Sequence, residues 1–160
     1  MKYFKLFILF FIFNSCSSSE PLEEINEQEE YFKKAIIGSW AYNTVKVDGV
    51  TYQYGHTKDC EKDYFQFYNE DGKEFDFQEN VVLNCSNCAK CATSGTGLRW
   101  ELKNDIINLY FGDQLVLVYK LLEVTDTTLT YQVTLDYDND GQDDELEISA
   151  IYYDPYNDFD

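Results

Sequence analysis

Two sets of residues in this 160-residue chain have the types and spacing to do chemistry. The first is the run Asp136-Tyr137-Asp138-Asn139-Asp140-Gly141-Gln142-Asp143-Asp144-Glu145-Leu146-Glu147. It sets Asp at positions one, three and five, Gly at six and Glu at twelve, which is the pattern of a calcium loop. Closely spaced carboxylates supply hard oxygen ligands, and Gly141 lets the backbone turn sharply around an ion. Position eight is Asp143, where a helix-flanked loop wants an apolar residue, and both flanks read as strands. A hairpin form of the loop would instead take Asp136, Asp138, Asp140 and Asp144 with the Gln142 carbonyl, leaving Glu147 free. The competing account is a solvated acidic turn, since Asp, Asn and Gly favour turns without any metal.

The second set is Cys60, Cys85, Cys88 and Cys91, and its chemistry depends on compartment. Lys2 and Lys5 begin the chain, and Leu6 to Phe13 is an unbroken apolar run, too short for the ~20 residues of a spanning helix. This reads as a signal peptide over residues 1–15. Phe13-Asn14-Ser15-Cys16 resembles the lipobox of bacterial lipoproteins, which implies a lipid anchor, palmitate included, on Cys16. More than one acyl chain makes such anchoring stable. Ser17 after the cysteine favours the outer membrane by analogy with other lipoproteins. In an exported chain four further cysteines read as two disulfides. Four cysteines allow three connectivities; a bond from Cys60 to Cys85 would staple an aromatic hairpin, and Cys88 would then pair with Cys91. A zinc or iron–sulfur site is the alternative that the spacing permits, and oxidising export disfavours it. A redox pair would need a βαβ setting that the chain lacks.

Little else suggests catalysis. His56 is the only histidine and follows Gly55 in an expected loop, which suits a surface residue better than a base. Ser94 and Ser149 lack a nucleophile setting. Arg99 beside Trp100 is expected to stack on an aromatic ring or pair with a carboxylate in the wall of the fold. No organic cofactor is implied.

These residues must be positioned by strands. Tyr and Phe number 14 and 12, a balance that leans towards sheet. Residues 16–30 form an acidic tether whose second half is expected to be helical. Pro21 suits its first turn, Lys33 and Lys34 suit its last, Leu22, Ile25, Phe32 and Ile36 share a face, and Gly38 ends it. From Trp40 onward apolar residues recur every second position, as at Phe65/Phe67, Phe75/Phe77, Ile107/Leu109/Phe111 and Leu129/Tyr131/Val133. Turn signals divide these runs at Asp48-Gly49, Asn69 to Gly72, Asn104-Asp105, Gly112-Asp113 and Thr125 to Thr127. The expected fold is all-β: an up-and-down antiparallel barrel of about eight strands over residues 31–160, after one short helix. Closure removes exposed sheet edges.

Ile36-Ile37-Gly38-Ser39-Trp40 carries the Gly-x-Trp signature that opens the first lipocalin strand. With Cys60 to Asp63, Leu98-Arg99-Trp100-Glu101-Leu102, Ile106-Ile107-Asn108-Leu109 and Thr127-Thr128-Leu129, the chain resembles the lipocalin-like domain of bacterial lipoproteins across residues 31–153. The resemblance implies a barrel with Trp40 closing one end and a small hydrophobic ligand in it or at its mouth, to which Ser86 to Thr96 would contribute. A barrel can also fill itself with side chains. The alternative is therefore a structural or protein-interaction lipoprotein with a calcium-braced acidic hairpin, and neither reading makes the protein an enzyme. The formal charge of −18 falls to −20 once Lys2 and Lys5 leave with the leader. Such a surface repels nucleic acid and favours cations.

Overall fold

The fold is known from a computed structural model, which describes residues 22–69, 75–83 and 89–157, with side chains from Glu27 onward. The expected signal peptide, Cys16, Cys85 and Cys88 lie outside the described residues, as do Glu70, Asp71 and Gly72 of the expected hairpin turn. Helix α1 spans Leu22–Ala35. Lys33 and Lys34 occupy its last turn, where cations complement the carbonyl end, and Glu29 and Lys33 pair at 3.2 Å across one turn. Phe32 and Ile36 bury the face expected of them. Gly38 then takes a φ of 137°, a conformation that favours glycine, and redirects the chain into the first strand. Two residues later the Trp40 indole donates to the Ile36 carbonyl at 2.8 Å. The Gly-x-Trp spacing thus satisfies a helix-end acceptor from the barrel wall.

Among the described residues nine antiparallel strands follow: β1 (Gly38–Val47), β2 (Val50–Gln53), β3 (Tyr64–Phe67), β4 (Phe77–Val82), β5 (Thr93–Lys103), β6 (Ile106–Phe111), β7 (Gln114–Val124), β8 (Thr128–Leu135) and β9 (Asp144–Tyr152). Each of β3 to β8 pairs with the next, and β9 returns to pair with β1 along Trp40↔Tyr152 to Val47↔Leu146. On its other edge β1 takes β3 along its first half and the short β2 along its second. Eight strands therefore close the barrel and β2 is an added flap, so the expected all-β class and closure hold. The turns form where expected, with Asp48, Gly49, Asn104 and Gly112 all at positive φ.

One end of the barrel is plugged. Helix α1 lies there, with the Tyr31 hydroxyl on the Val124 carbonyl at 3.1 Å and Glu29 accepting from the Asn104 amide at 2.8 Å. At the opposite end stand the β1–β2 turn, the last residues of β4 and first of β5, the Gly112 turn and the acidic hairpin. The interior between is packed with side chains. Trp40, Phe65, Phe67, Phe77 and Tyr131 are all 2% exposed or less.

Two runs depart from simple alternation. Strand β4 starts at Phe77, and Phe75 lies outside it, its ring covering Gly97 so closely that a Cβ there would meet it at 2.8 Å. Between β6 and β7 a register shift puts an extra residue, Val116, on β7, so Leu115 falls out of phase with Leu117 and is exposed, and Phe111 at the hairpin tip is exposed as well.

Candidate functional site: the barrel mouth and the acidic hairpin

Looking down from the mouth, the plug of aromatic residues ends in a polar layer. The Tyr42 hydroxyl donates to Glu79 Oε1 in a short hydrogen bond. Tyr131 stacks on Tyr119 with ring centroids 4.3 Å apart, and Tyr54 stacks on Tyr42 at 4.8 Å. Burial pushes the Tyr42, Tyr54, Tyr119 and Tyr131 phenols upward, and the negative charge of Glu79 adds to each shift. All four therefore stay protonated hydroxyls at neutral pH. Above this layer Val47, Leu117 and Leu135 are partly buried against the core, and Val81, two residues beyond Glu79 on β4, shares its inward side. The mouth is thus an apolar collar over a floor of phenols and one carboxylate. Glu79 was open to sequence reasoning through its parity with Phe77, but an acidic residue at an inward position carries no signature of its own.

The floor is braced from the side. Asp63 is buried, its Oδ2 accepting from the Tyr54 hydroxyl at 3.0 Å and its Oδ1 from the Val82 amide at 2.6 Å. His56 Nδ1 accepts from the Asp63 amide at 3.0 Å, so the ring proton belongs on Nε2, which lies 2.8 Å from the Tyr42 carbonyl. Both ring nitrogens are spent on backbone, which makes His56 a half-buried brace instead of the surface residue expected. Arg99 does both things expected of it, lying 4.7 Å over the Tyr110 ring and pairing with Glu101.

The hairpin between β8 and β9 gathers three of its carboxylates. One oxygen each from Asp136, Asp138 and Asp144 lies within 4.8 Å of the others. The other groups hold the loop in shape. Gly141 N–H donates to Asp136 Oδ2 at 3.1 Å, Asp140 N–H to Asp138 Oδ1 at 3.0 Å, and Tyr137 N–H to Asp144 Oδ2 at 3.1 Å. Asn139 and Gly141 both adopt positive φ to make the bend. Asp136 Oδ1 is buried with no hydrogen-bond partner among the described residues. Asp140 is turned to the Gln142 amide and side chain, at 2.8 and 3.1 Å, and stands outside the triad. Glu147 is farther away still: it lies on β9 opposite Lys46 and pairs with it at 2.9 Å. Of the twelve-residue pattern, only Asp136, Asp138 and Asp144 come together, and Asp140, which the hairpin form also calls on, does not join them.

Cysteine pairing departs from expectation. Cys60 bonds to Cys91, not to Cys85. The reason lies in the ends of β4 and β5. Leu83 N–H donates to the Ala92 carbonyl at 2.8 Å, closing that hairpin so that Cys91 stands at its base. The Asp63 carboxylate on Val82 draws the chain after Cys60 to the same base, and Lys90 pairs with Asp59 at 3.4 Å beside the bond. A partner for Cys88 cannot then be Cys91.

A closed antiparallel barrel plugged by an N-terminal helix, with Gly-x-Trp at the plugged end, defines a lipocalin-type architecture. The family model described as a lipocalin-like domain matches residues 36–131, and the chain belongs to that family. No curated protein and no solved structure matches the chain.

Proposed function

We propose that this is a lipoprotein of the cell envelope, anchored through Cys16 to the outer membrane, that takes a small hydrophobic ligand at the barrel mouth and does no chemistry on it. One observation carries the site: below the Tyr42–Tyr131 layer the interior is packed, while above it the collar of Val47, Val81, Leu117 and Leu135 is only partly buried. A ligand therefore rests on the floor instead of passing deep into the barrel. Displacement of an environment-sensitive hydrophobic dye tests this. Leu117→Arg, which puts a charge into the collar, should weaken dye binding at least ~10-fold, since burying one large apolar side chain is worth ~1.5–3 kcal/mol. Leu122→Arg on the outer wall should leave it unchanged. Equal binding by both variants would remove the mouth as the site.

The anchor has its own test. Cys16→Ser should abolish metabolic palmitate labelling, and continued acylation of that variant would overturn both anchor and localisation. A second reading, a protein-interaction lipoprotein, is favoured by Phe111, Leu115, Val116 and Val118, which are exposed together around the β6–β7 tip. It takes precedence if no hydrophobic probe binds the mouth. In either reading the acidic hairpin is proposed to hold calcium through Asp136, Asp138 and Asp144, supported by the orphaned Asp136 Oδ1.

A further inference from the structure

We infer that the mouth prefers ligands with a primary ammonium head, placed against Glu79 and the surrounding phenol oxygens, with the apolar tail in the collar. This rests on the mouth reading and adds the chemical class of its ligand. Glu79 is half-buried on the inward side of β4. One of its oxygens is satisfied by the Tyr42 hydroxyl. The other has no hydrogen-bond partner, and no lysine or arginine forms an ion pair with Glu79, among the described residues. The cations nearest in topology are committed elsewhere, Lys46 to Glu147 on the outside of β1 and β9. A carboxylate drawn partly out of water without a cation is costly, and a ligand that supplies the cation recovers that cost.

The surroundings decide which cation fits. Tyr42, whose hydroxyl proton goes to Glu79, has two oxygen lone pairs, of which one meets the Tyr131 hydroxyl and the other is left as an acceptor. An ammonium brings three N–H donors and so meets a carboxylate and phenol oxygens together. A trimethylammonium has none to offer, and the stacked rings of Tyr42 with Tyr54 and Tyr119 with Tyr131 leave their faces against each other instead of open as a cage. A carboxylate head would face Glu79 directly. The chain's formal charge of −18 further raises the local concentration of cations at the surface. Head and tail are then both accommodated, the polar atom down and the hydrocarbon between Val47, Val81, Leu117 and Leu135.

The test uses water-soluble ligands that share one tail: hexylamine, hexyltrimethylammonium, hexanol and hexanoate, titrated against the mature protein by dye displacement and calorimetry. Hexylamine should bind ~10-fold or more tighter than hexanol, the scale of one hydrogen bond to a charged group, with hexanoate weakest. Hexyltrimethylammonium should fall below hexylamine. Glu79→Gln should bring hexylamine down to the level of hexanol without weakening hexanol. The ranking in the unaltered protein stands by itself if Glu79→Gln does not fold. Hexanol or hexanoate binding as well as hexylamine would overturn the ammonium preference while leaving the mouth site intact. Binding of none of the four, with no dye binding either, would overturn both.

Discussion

Replacing Cys60 and Cys91 together with alanine should lower the unfolding free energy by ~3–4 kcal/mol, because their bond closes a loop between residues 31 apart in sequence. The bond restrains the unfolded chain far more than it tightens the native one. The bond also pins the loop from Tyr54 to Asp63, in which Cys60 lies and which otherwise depends on His56 and Asp63 to hold it to the barrel. For a domain of this size the loss should appear as a melting temperature lower by ~10 °C. Melting in the presence and absence of reductant checks it. Reduction should destabilise the natural protein by a similar amount and leave the double variant nearly unmoved. A double variant that melts with the oxidised natural protein would show that the bond contributes nothing to stability. Cys60→Ala alone should be no milder, since it leaves Cys91 without its partner.

What sequence could disclose about the fold was local, and it was disclosed well. The helix end, Gly38 and Trp40 lie within a few residues of one another, and one hydrogen bond joins them. Turns at Asp48-Gly49, Asn104-Asp105 and Gly112-Asp113 announce themselves because positive φ restricts residue choice. Alternation placed Leu129, Tyr131 and Val133 inward, and all three are buried. Non-local geometry was the part that stayed hidden. Cys85 is the cysteine that follows the aromatic hairpin most directly, yet strand pairing beyond it brings Cys91 to Cys60 instead. A register shift costs no change of composition, so the bulge that puts Leu115 out of phase with Leu117 left no trace in the pattern. Glu147 completes a twelve-residue motif on paper, but the strand period sends it to the outer wall, where Lys46 on β1 is its cross-strand neighbour. Glu79 is the sharpest case. Its meaning comes from which rings converge on it from β1, β7 and β8, and none of those is near it in sequence.

Millimolar calcium should raise the melting temperature of the protein, and chelator should lower it. Asp136, Asp138, Asp140, Asp143 and Asp144 crowd one exposed hairpin tip, and without a cation they repel one another. A divalent ion held between the facing oxygens of Asp136, Asp138 and Asp144 converts repulsion into coordination and gives Asp136 Oδ1 a partner. The backbone bonds to Asp136 Oδ2, Asp138 Oδ1 and Asp144 Oδ2 already fix the carboxylates, so little ordering remains for binding to impose. Extracellular calcium modules bind at ~10⁻⁴–10⁻³ M. At free calcium 100 times the dissociation constant, binding to the folded state alone adds ~2.7 kcal/mol. That corresponds to a rise of several degrees. Asp136→Asn with Asp138→Asn keeps oxygen acceptors for the Gly141 and Asp140 amides while removing two charges from the triad. This variant should fold, lose the calcium response and melt no lower than the natural protein in chelator. Asp140→Asn alone should retain most of the response, because both Asp140 oxygens are turned to Gln142. Magnesium should substitute poorly, since it demands near-octahedral geometry and gives up water reluctantly. Identical melting in chelator and in millimolar calcium would reduce the hairpin to an acidic turn.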